Sequence, residues 1–262
     1  MNGMHGRRRP AGRGWNMVMS RMRTSSLLGA LSAGVLLVCG CGGDSDEEAF
    51  SGQKADDIAA RAVTATEKAS SVHMKGTAQA NGSSTVELDI RVDDQGNCTG
   101  TISGDGGRAE LLRSEGGDVL IKGDRAFWTN SARASGGDVK RGERLAGKLA
   151  GKWVAAPADG PDAAFCDKKR FLASMDQDKT ERQGLKRGET TEVDGEDALT
   201  LEKDQEGSHI SMQVATEGEP YILKAATKGS EDSSVTFDDY GEKVTVQQPP
   251  RSEIVDASDT QS

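Results

Sequence analysis

Cysteine thiols are the groups of this sequence with the clearest chemistry, and their positions divide them into two pairs. Cys39 and Cys41 stand two residues apart at the end of an apolar run, and an acidic stretch follows them. Cys98 and Cys166 lie far downstream and are separated by a glycine-rich stretch. A cysteine can act as a nucleophile, ligate a metal or form half of a disulfide. The flanking residues decide among these roles for each pair.

The segment before Cys39 has the pattern of an export signal. Six arginines and no acidic residue occupy residues 1–23, and an apolar stretch runs from Thr24 to Val38. This stretch has 15 residues, whereas a helix needs about 20 to cross a bilayer. A basic region followed by a short apolar one is typical of a secretory signal that is removed. The sequence therefore predicts an exported protein in which residues 1–40 form the signal peptide.

The end of the apolar run has an aliphatic residue, a small residue and a glycine directly before a cysteine. Val38, Cys39 and Gly40 occupy these positions before Cys41, and the pattern resembles the bacterial lipobox. Cys39 does not fit as the acylated residue, because bulky Val38 would take the position that must be small. The resemblance implies cleavage between Gly40 and Cys41 and a diacylglyceryl group on Cys41. Since two acyl chains hold a protein stably in a membrane, we expect the mature protein on the outer face of the cytoplasmic membrane.

Removal of Cys39 and acylation of Cys41 leave Cys98 and Cys166 as the remaining cysteines. Two cysteines in an oxidising compartment are typically bridged, and no C-x-x-C motif of a redox or zinc site occurs after residue 40. We therefore predict a disulfide between Cys98 and Cys166. Residues 42–48 are small and acidic and have no hydrophobic periodicity, which predicts a flexible tether over residues 41–52.

The charge of the mature chain excludes some partners. All 42 Asp and Glu lie in residues 41–262 with 27 of the 33 Lys and Arg, so the net charge there is −15. Nucleic-acid binding depends on cationic contacts to phosphates, and this charge disfavours it. The same charge disfavours a domain that lies on an anionic membrane surface. The length suits one domain with a substantial core, which we expect to be a monomer.

Short segments of alternating pattern run through the mature chain. Residues 86–92 alternate apolar and charged side chains, and Asn81-Gly82 before them is a hairpin signal. Such alternation is typical of a strand with one buried and one solvated face. Similar segments lie at residues 199–201, 210–214, 221–225, 235–237 and 244–246. We predict about ten strands in an antiparallel meander.

Three helices are predicted, at residues 54–69, 139–149 and 161–175, each with an apolar stripe. A sheet with one solvated face must bury its other face against another layer. The expected fold is therefore α+β, with a strongly curved antiparallel sheet, or half-barrel, wrapped over about three helices. This domain is expected to span residues 53–250, and residues 251–262 are expected to form a tail. The disulfide would join an early strand to the third helix.

Several stretches of the mature chain resemble a known group of proteins. They lie at residues 98–102, 118–128, 150–157, 165–167, 215–221 and 236–240 and at Pro249-Pro250. Together they resemble a group of actinobacterial lipoproteins that is similar in fold to the LolA, LprG and LppX carriers of lipid and lipoprotein acyl chains. These are turn and packing motifs without catalytic content. The resemblance implies a half-barrel that encloses an apolar cavity between its sheet and its helices.

The candidate lining of such a cavity comes from the predicted strands and helices. Hydrophobic residues make up 34% of the chain and aromatic residues 4%, so bulky lining residues are few. Each aromatic residue either fills the core or contacts a ligand, and the sequence leaves both roles open. The candidates are Val86, Leu88, Ile90, Phe127, Trp128, Leu145, Leu149, Phe165, Phe171 and Leu172.

Motifs that could support catalysis or metal binding occur without the further motifs or ligands that such sites need. Ser51 and Lys54 have the S-x-x-K spacing, but no S-D-N or K-T-G motif occurs. The Asp176-x-Asp178-x-Thr180 motif follows an amphipathic helix instead of a buried strand. Residues 147–152 resemble a phosphate loop that is one residue short and has a tryptophan where Ser or Thr should follow. His73 and His209 lie in separate strand-like segments, where we expect hydrogen-bonded surface residues without the further ligands of a zinc site.

The sequence thus predicts a membrane-anchored, extracytoplasmic and non-enzymatic lipoprotein without a cofactor or bound metal. Its expected ligand is a lipid or another apolar molecule held between sheet and helices. The alternative is an envelope interaction or sensory lipoprotein whose cavity is filled by side chains. The packing between the sheet and the helices is the observation that bears on this choice.

Overall fold

The computed structural model describes residues 49–79, 85–134, 138–156, 158, 162–175, 182–229 and 232–256. The predicted signal peptide, Gly40, Cys41 and the Asn81-Gly82 turn lie outside these residues. In the described part of the chain, no helix is long and apolar enough to cross a membrane.

One sheet of twelve strands forms the framework of the domain. Its order is β12-β6-β5-β4-β3-β2-β1-β11-β10-β9-β8-β7, so β1 joins the first half of the chain to the second at the middle of the sheet. The strands are β1 Ser71–Gln79, β2 Thr85–Asp93, β3 Cys98–Gly104, β4 Gly107–Arg113, β5 Val119–Gly123, β6 Trp153–Ala156, β7 Lys186–Val193, β8 Glu196–Gln205, β9 Ser208–Ala215, β10 Ile222–Lys228, β11 Ser233–Asp238 and β12 Ile254–Asp256.

Four α-helices accompany the sheet among the described residues. They are α1 Ala55–Lys68, α2 Arg125–Ala134, α3 Val139–Leu149 and α4 Lys168–Met175, with 3₁₀ turns at Asp162–Cys166 and Arg251–Glu253. The curved sheet is not closed into a barrel. The α+β half-barrel predicted from the sequence is therefore confirmed.

Some details of the sheet differ from the prediction. The sheet has twelve strands instead of about ten, and it is mixed, because β12 pairs with β6 in parallel orientation. The strands β6 and β12 have four and three residues, which is too short for an alternating pattern to be recognised. β12 lies in the segment that the sequence assigned to a tail.

The prediction of about three helices missed α2. Asp124 caps this helix, because its carboxylate accepts a hydrogen bond from the backbone N–H of Phe127 at 2.7 Å. The helix contains Thr129, Asn130 and Ser131, which are weak helix formers. The helix propensity of this segment is therefore too low to predict a helix. The Asp124 cap was the signal that could have revealed it.

The helix predicted at residues 161–175 is divided in two. A 3₁₀ turn ends at Cys166, and α4 begins at Lys168. Between them, the Asp167 carboxylate accepts a hydrogen bond from the N–H of Arg170 at 3.0 Å. This cap starts a new helix at the point where the prediction assumed a continuous one. By contrast, the predicted helix at residues 139–149 has the bounds of α3.

The alternating pattern of the strands places one set of side chains between sheet and helices. In β2, Leu88, Ile90 and Val92 are buried, whereas Asp89 and Arg91 between them are partly exposed and exposed. The buried set packs with Ile58 and Ala62 of α1 in one hydrophobic cluster. We call the face of the sheet that carries Leu88 and Ile90 the inner face and the opposite one the outer face.

Candidate functional site

The inner face and the helices that cover it form the place where an apolar ligand was expected. The buried cluster there includes residues of β1–β5 and β8–β11 together with α1, α4 and the first 3₁₀ turn. Small side chains of α1 let the helix approach closely, since Ala59 and Ala62 are both 0% exposed. The disulfide between Cys98 and Cys166 joins β3 to the end of the 3₁₀ turn. It fastens the helical layer to the sheet, as the sequence predicted.

Seven of the ten candidate lining residues meet in this cluster, and three lie outside it. Phe127, Trp128 and Phe165 pack against the cluster and remain partly buried. Val86 and Leu145 are partly exposed, and Leu149 is buried; all three lie outside the cluster. The four residues that belong to its buried part are Leu88, Ile90, Phe171 and Leu172.

The centre of the inner face is filled by side chains. A side chain that bordered a cavity large enough for water would keep some accessible surface, yet Leu88 is 1% exposed and Ile90 is 0% exposed. Leu111 and Ile121, on the neighbouring strands β4 and β5, are 0% and 1% exposed. These four side chains therefore contact other protein atoms on all sides. Packing of this kind is typical of a protein core.

The end of the inner face beneath α2 is less enclosed. Phe127 and Trp128 form a T-shaped pair with ring centroids 5.1 Å apart, and both remain partly exposed. Glycines allow α2 to lie directly on β4 and β5. A Cβ atom on Gly123 would stand 2.3 Å from Phe127 Cδ1, and one on Gly107 would stand 2.4 Å from the Phe127 backbone nitrogen.

Among the residues that the structure describes, the indole N–H of Trp128 has no hydrogen-bond partner, although the nitrogen itself is buried. A buried donor without an acceptor costs about 1–3 kcal/mol. An acceptor atom of a ligand placed beside this nitrogen would remove that cost. Trp128 is therefore the polar group of this aromatic end that could orient a ligand.

Sequence reasoning missed the part of the lining that β4 contributes. Ala109 and Leu111 are buried on the inner face, while Arg108 and Glu110, which alternate with them, are exposed. The Arg-Ala-Glu-Leu alternation was the signal that could have identified this strand. Residues of β8 and β9 in the same cluster, Leu199, Leu201 and Val214, belong to strands that the sequence did predict.

Two polar contacts fasten α1 at its carboxyl end. Thr66 Oγ1 accepts a hydrogen bond from the Ile222 N–H at 3.1 Å and lies 3.5 Å from the Tyr240 hydroxyl, which donates to the Ile222 carbonyl at 2.5 Å. Burial raises the pKa of Tyr240 above its ordinary range, so this hydroxyl stays protonated. Lys168 of α4 donates to the carbonyl of Ala69, where α1 ends. Burial lowers the pKa of Lys168.

His73 occupies a charged cluster on the outer face. Its Nδ1 lies 2.6 Å from Asp238 Oδ1, and its Nε2 lies 2.8 Å from Asp89 Oδ1. Carboxylate oxygens accept hydrogen bonds, so each of them can accept from a ring N–H that faces it. The hydrogen bond from His73 lowers the pKa of Asp89. The expectation of an ordinary surface histidine is wrong in one respect, because His73 is only 7% exposed.

The same cluster has the spacing of a set of metal ligands. The ligand atoms of His73, Asp238 and Asp239 lie within 4.8 Å of one another. In this arrangement Nδ1 already faces Asp238 at hydrogen-bond distance, and Arg91 pairs with Asp239 at 2.9 Å. The group therefore acts as a network of ion pairs that links β2, β1 and β11. His209 is more exposed, and its Nδ1 lies 2.9 Å from Asp204 Oδ1.

A shallow depression of about 450 Å³ opens on the outer face at one end of the sheet. Its walls come from the ends of β1, β2, β3 and β4 and include Thr77, Glu87, Ser103 and Arg108. Glu87 and Ser103 alternate with the inner-face residues Leu88 and Ile102. The depression lies on the side of the sheet opposite to the expected apolar cavity.

Comparison with known proteins gave similarity in structure alone. No family model and no curated protein sequence matches the chain. The chain is similar in structure to the Mycobacterium tuberculosis lipoprotein LppX. The TM-score is 0.45 at 15% identity, and the match covers 73% of this chain and 97% of LppX. LppX is one of the carriers to which the sequence was likened.

Two further solved structures are similar over comparable lengths. A chain of the Pseudomonas aeruginosa MucA/MucB complex has a TM-score of 0.34 at 18% identity, and the match covers 79% of this chain and 60% of that one. An uncharacterized conserved protein of Thermus thermophilus has a TM-score of 0.32 at 10% identity, with coverage of 77% and 98%.

Proposed function

We propose that the protein is a monomeric, lipid-anchored binding protein of the outer face of the cytoplasmic membrane, and that it holds a lipid or another apolar ligand without catalysing a reaction. The Val38-Cys39-Gly40-Cys41 pattern after a short apolar run supports the anchor. The disulfide between Cys98 and Cys166 supports export, because such bridges persist outside the reducing cytosol. Both features bear on the location of the protein, and neither bears on its ligand.

The observation that carries the ligand part of the proposal is the aromatic end of the inner face. Phe127, Trp128 and Phe165 pack against the apolar cluster but keep part of their surface exposed. Apolar and aromatic surface with one convergent polar group is the usual composition of a small-molecule site. Here the polar group is the Trp128 indole N–H, which has no acceptor. An ester or carboxylate oxygen of a lipid would supply one.

The filled centre of the inner face limits the mode of binding. Leu88 and Ile90 have almost no accessible surface, so an acyl chain reaches them only if the helices that cover the inner face move away from the sheet. The glycine contacts beneath α2 involve the backbone and side chain of Phe127. We therefore place ligand entry between α2 and the strands β4 and β5, with Phe127 displaced first.

The anchor is tested by metabolic labelling with radioactive palmitate. We expect label in the wild-type protein and none in Cys41→Ser, because the Cys41 sulfur carries the diacylglyceryl group. Cys39→Ser is the matched control and should keep the label, since Cys39 leaves with the signal. Equal labelling of both variants would contradict acylation at Cys41.

The ligand is tested by native mass spectrometry of the mature chain, secreted with an ordinary leader and carrying Cys41→Ser. We expect a fraction of the protein to retain one apolar molecule, and Trp128→Phe to reduce that fraction because it removes the N–H and keeps an aromatic ring. Trp153→Phe is the matched control, since Trp153 lies in β6 with Lys122 5.5 Å from its ring. A wild-type protein that carries no lipid and takes none up from vesicles would contradict ligand binding.

A second candidate function is favoured by the filled centre itself. Leu88, Ile90, Leu111 and Ile121 are at most 1% exposed, as expected if the protein serves as an anchored interaction or sensory module. This candidate predicts protein partners in cross-linking of intact cells and no exchange of lipid between vesicles. The mass-spectrometric experiment separates the two candidates.

A further inference from the structure

The place where the chain enters the folded domain is well defined. Phe50 is 3% exposed, and its carbonyl accepts a hydrogen bond from Arg187 Nη1 at 2.8 Å. The Arg61 guanidinium lies 6.0 Å from the centre of the Phe50 ring and donates to the side chain of Gln53. The domain is therefore held from Phe50 onwards. Phe50 follows Cys41 by nine residues.

Hydrogen bonds show at which end of the sheet Phe50 lies. The Asp56 carboxylate, in the first turn of α1, accepts from the N–H groups of Gly184 and Leu185, directly before β7 begins. At the other end of α1, Thr66 accepts from Ile222, where β10 begins. Since β7 and β10 run in opposite directions, α1 spans the sheet from one end of the strands to the other. We call the end with Phe50 and the start of β7 the anchor end.

The opposite end of the sheet, which we call the acidic end, carries the turns that follow β2, β4, β7, β9 and β11. These turns are rich in carboxylates, and His73 with its carboxylate partners lies nearby. The acidic residues in or beside these turns are Asp93, Asp94, Glu115, Asp118, Asp194, Glu217, Glu219, Asp239 and Glu242.

The surface around Phe50 has a different charge. Lys54, Arg61, Lys186 and Arg187 are exposed there, with Asp57 as an exposed acidic neighbour. The other turns of the anchor end carry charges of both signs. Charges farther than about 8 Å from a membrane surface are largely screened at physiological ionic strength. The charge of the end that faces the membrane therefore matters more than the net charge of the chain.

The length of the tether restricts the orientation of the domain. Nine residues reach at most about 30 Å when fully extended, and a flexible chain of that length has a root-mean-square span of about 17 Å. The nine-residue strands β1 and β2 are each about 30 Å long. The acidic end thus reaches a membrane at Cys41 only when the tether is stretched to its limit.

We propose that the anchor end faces the bilayer, that Lys54, Arg61, Lys186 and Arg187 lie against the headgroups of anionic phospholipids, and that the acidic end points away from the membrane. This inference rests on the proposed acylation of Cys41. Cations near a membrane that contains anionic lipids are attracted to it, and carboxylates are repelled. Tether length and the charges of the two ends of the sheet favour the same orientation, whereas the four carboxylates of the tether, Asp44, Asp46, Glu47 and Glu48, oppose contact with anionic headgroups.

The orientation can be measured on the acylated protein reconstituted into vesicles of phosphatidylcholine and phosphatidylglycerol. A single fluorophore is attached through Ser51→Cys at the anchor end or Glu217→Cys at the acidic end, and energy transfer to a headgroup-labelled lipid is recorded. Cys98 and Cys166 are bridged and Cys41 is acylated in this preparation, so the new thiol alone reacts. We expect strong transfer from position 51 and weak transfer from position 217. Equal transfer from the two positions would overturn the proposed orientation.

Charge reversal tests the role of the headgroups. Lys54→Glu with Lys186→Glu should lower transfer from position 51 on vesicles with phosphatidylglycerol and leave it unchanged on pure phosphatidylcholine. Lys243→Glu, exposed near the acidic end, is the matched control and should have no effect on either vesicle. If the double variant behaves like wild type on both vesicles, the headgroup contact is wrong. Protein that does not float with vesicles contradicts the anchor, whereas floating protein without orientation contradicts this inference alone.

Discussion

The His73 cluster shows how single side chains connect the two halves of the sheet. The ring stands on β1 between Asp89 of β2 and Asp238 of β11. Hydrogen bonds to charged groups contribute about 1.5–3 kcal/mol each when both partners are well enclosed. Here the Asp89 and Asp238 side chains are 47% and 37% exposed, so water reduces the contribution. The cluster still fixes the register of three neighbouring strands.

Replacement of this histidine should destabilise the protein. We expect His73→Ala to lower the free energy of unfolding by about 1–2 kcal/mol, because both charge-assisted hydrogen bonds are lost and the carboxylates remain together. Denaturant unfolding followed by circular dichroism measures the change. His209→Ala is the control and should stay within about 0.5 kcal/mol, since this exposed ion pair contributes little. Equal effects of the two substitutions would show that the His73 contacts contribute no more to stability than the exposed ion pair of His209.

The acid sensitivity of the domain should depend on Asp89. Its pKa is lowered in the folded protein, first by the hydrogen bond from His73. A lowered folded pKa means that the contribution to stability is complete above the unfolded value near pH 4 and is lost as the pH falls through the folded value. Asp89→Asn should therefore reduce the loss of stability that occurs as the pH falls from about 4 through the folded value. If the free energy of unfolding of this variant falls with pH as steeply as that of wild type, Asp89 does not cause the acid sensitivity.

At the scale of elements, the position of α2 depends on glycines in the strands beneath it. Gly123 lies in β5, where its missing side chain leaves room for the Phe127 ring. The sequence of β5 does not reveal that a helix rests on this strand. In the structure, the Asp124 cap marks the start of α2, and this contact fixes its position on the sheet.

A pair of glycine substitutions tests this contact. Gly123→Ala should lower the free energy of unfolding by about 1–3 kcal/mol, because the new Cβ would overlap the Phe127 ring and displace α2. Gly147→Ala should instead raise it by about 0.5–1 kcal/mol, since Gly147 lies in α3 with open space around its Cα. Thermal unfolding of the two variants beside wild type provides the measurement. Stabilisation by both substitutions would show that α2 does not rest on Gly123.

At the scale of the whole molecule, the disulfide joins parts of the chain that are distant in sequence. Cys98 and Cys166 are 68 residues apart, and the loop between them contains β4, β5, β6, α2 and α3. A bridge over such a loop restricts the unfolded chain and contributes about 4 kcal/mol in the chain-entropy model. It also keeps the first 3₁₀ turn on the sheet.

Removal of the bridge should therefore be costly. We expect Cys98→Ala with Cys166→Ala to lower the free energy of unfolding by about 4 kcal/mol, with a lower denaturant midpoint than that of the oxidised wild type. The reduced wild type is the control and should resemble the double variant. A double variant as stable as the oxidised protein would mean that packing alone holds the 3₁₀ turn in place.

The sequence by itself determined the features that depend on neighbouring residues. The lipobox resemblance at Cys41, the alternation in residues 86–92 and the stripe of α3 are local patterns, because helices and strands repeat every few residues. The pairing of Cys98 with Cys166 followed from a count of cysteines. These patterns sufficed for an α+β half-barrel, and they prescribe which face of each strand is apolar.

Only the tertiary structure decided which distant residues meet. His73 and Asp238 are 165 positions apart and come together because β1 pairs with β11 in the middle of the sheet, a neighbourhood that no local pattern encodes. Whether Leu88 and Ile90 line a cavity or fill a core also depends on the volume that α1 and α4 leave above them. That volume is set by close packing of side chains from many elements, and so the structure showed the filled centre and the partly exposed aromatic end.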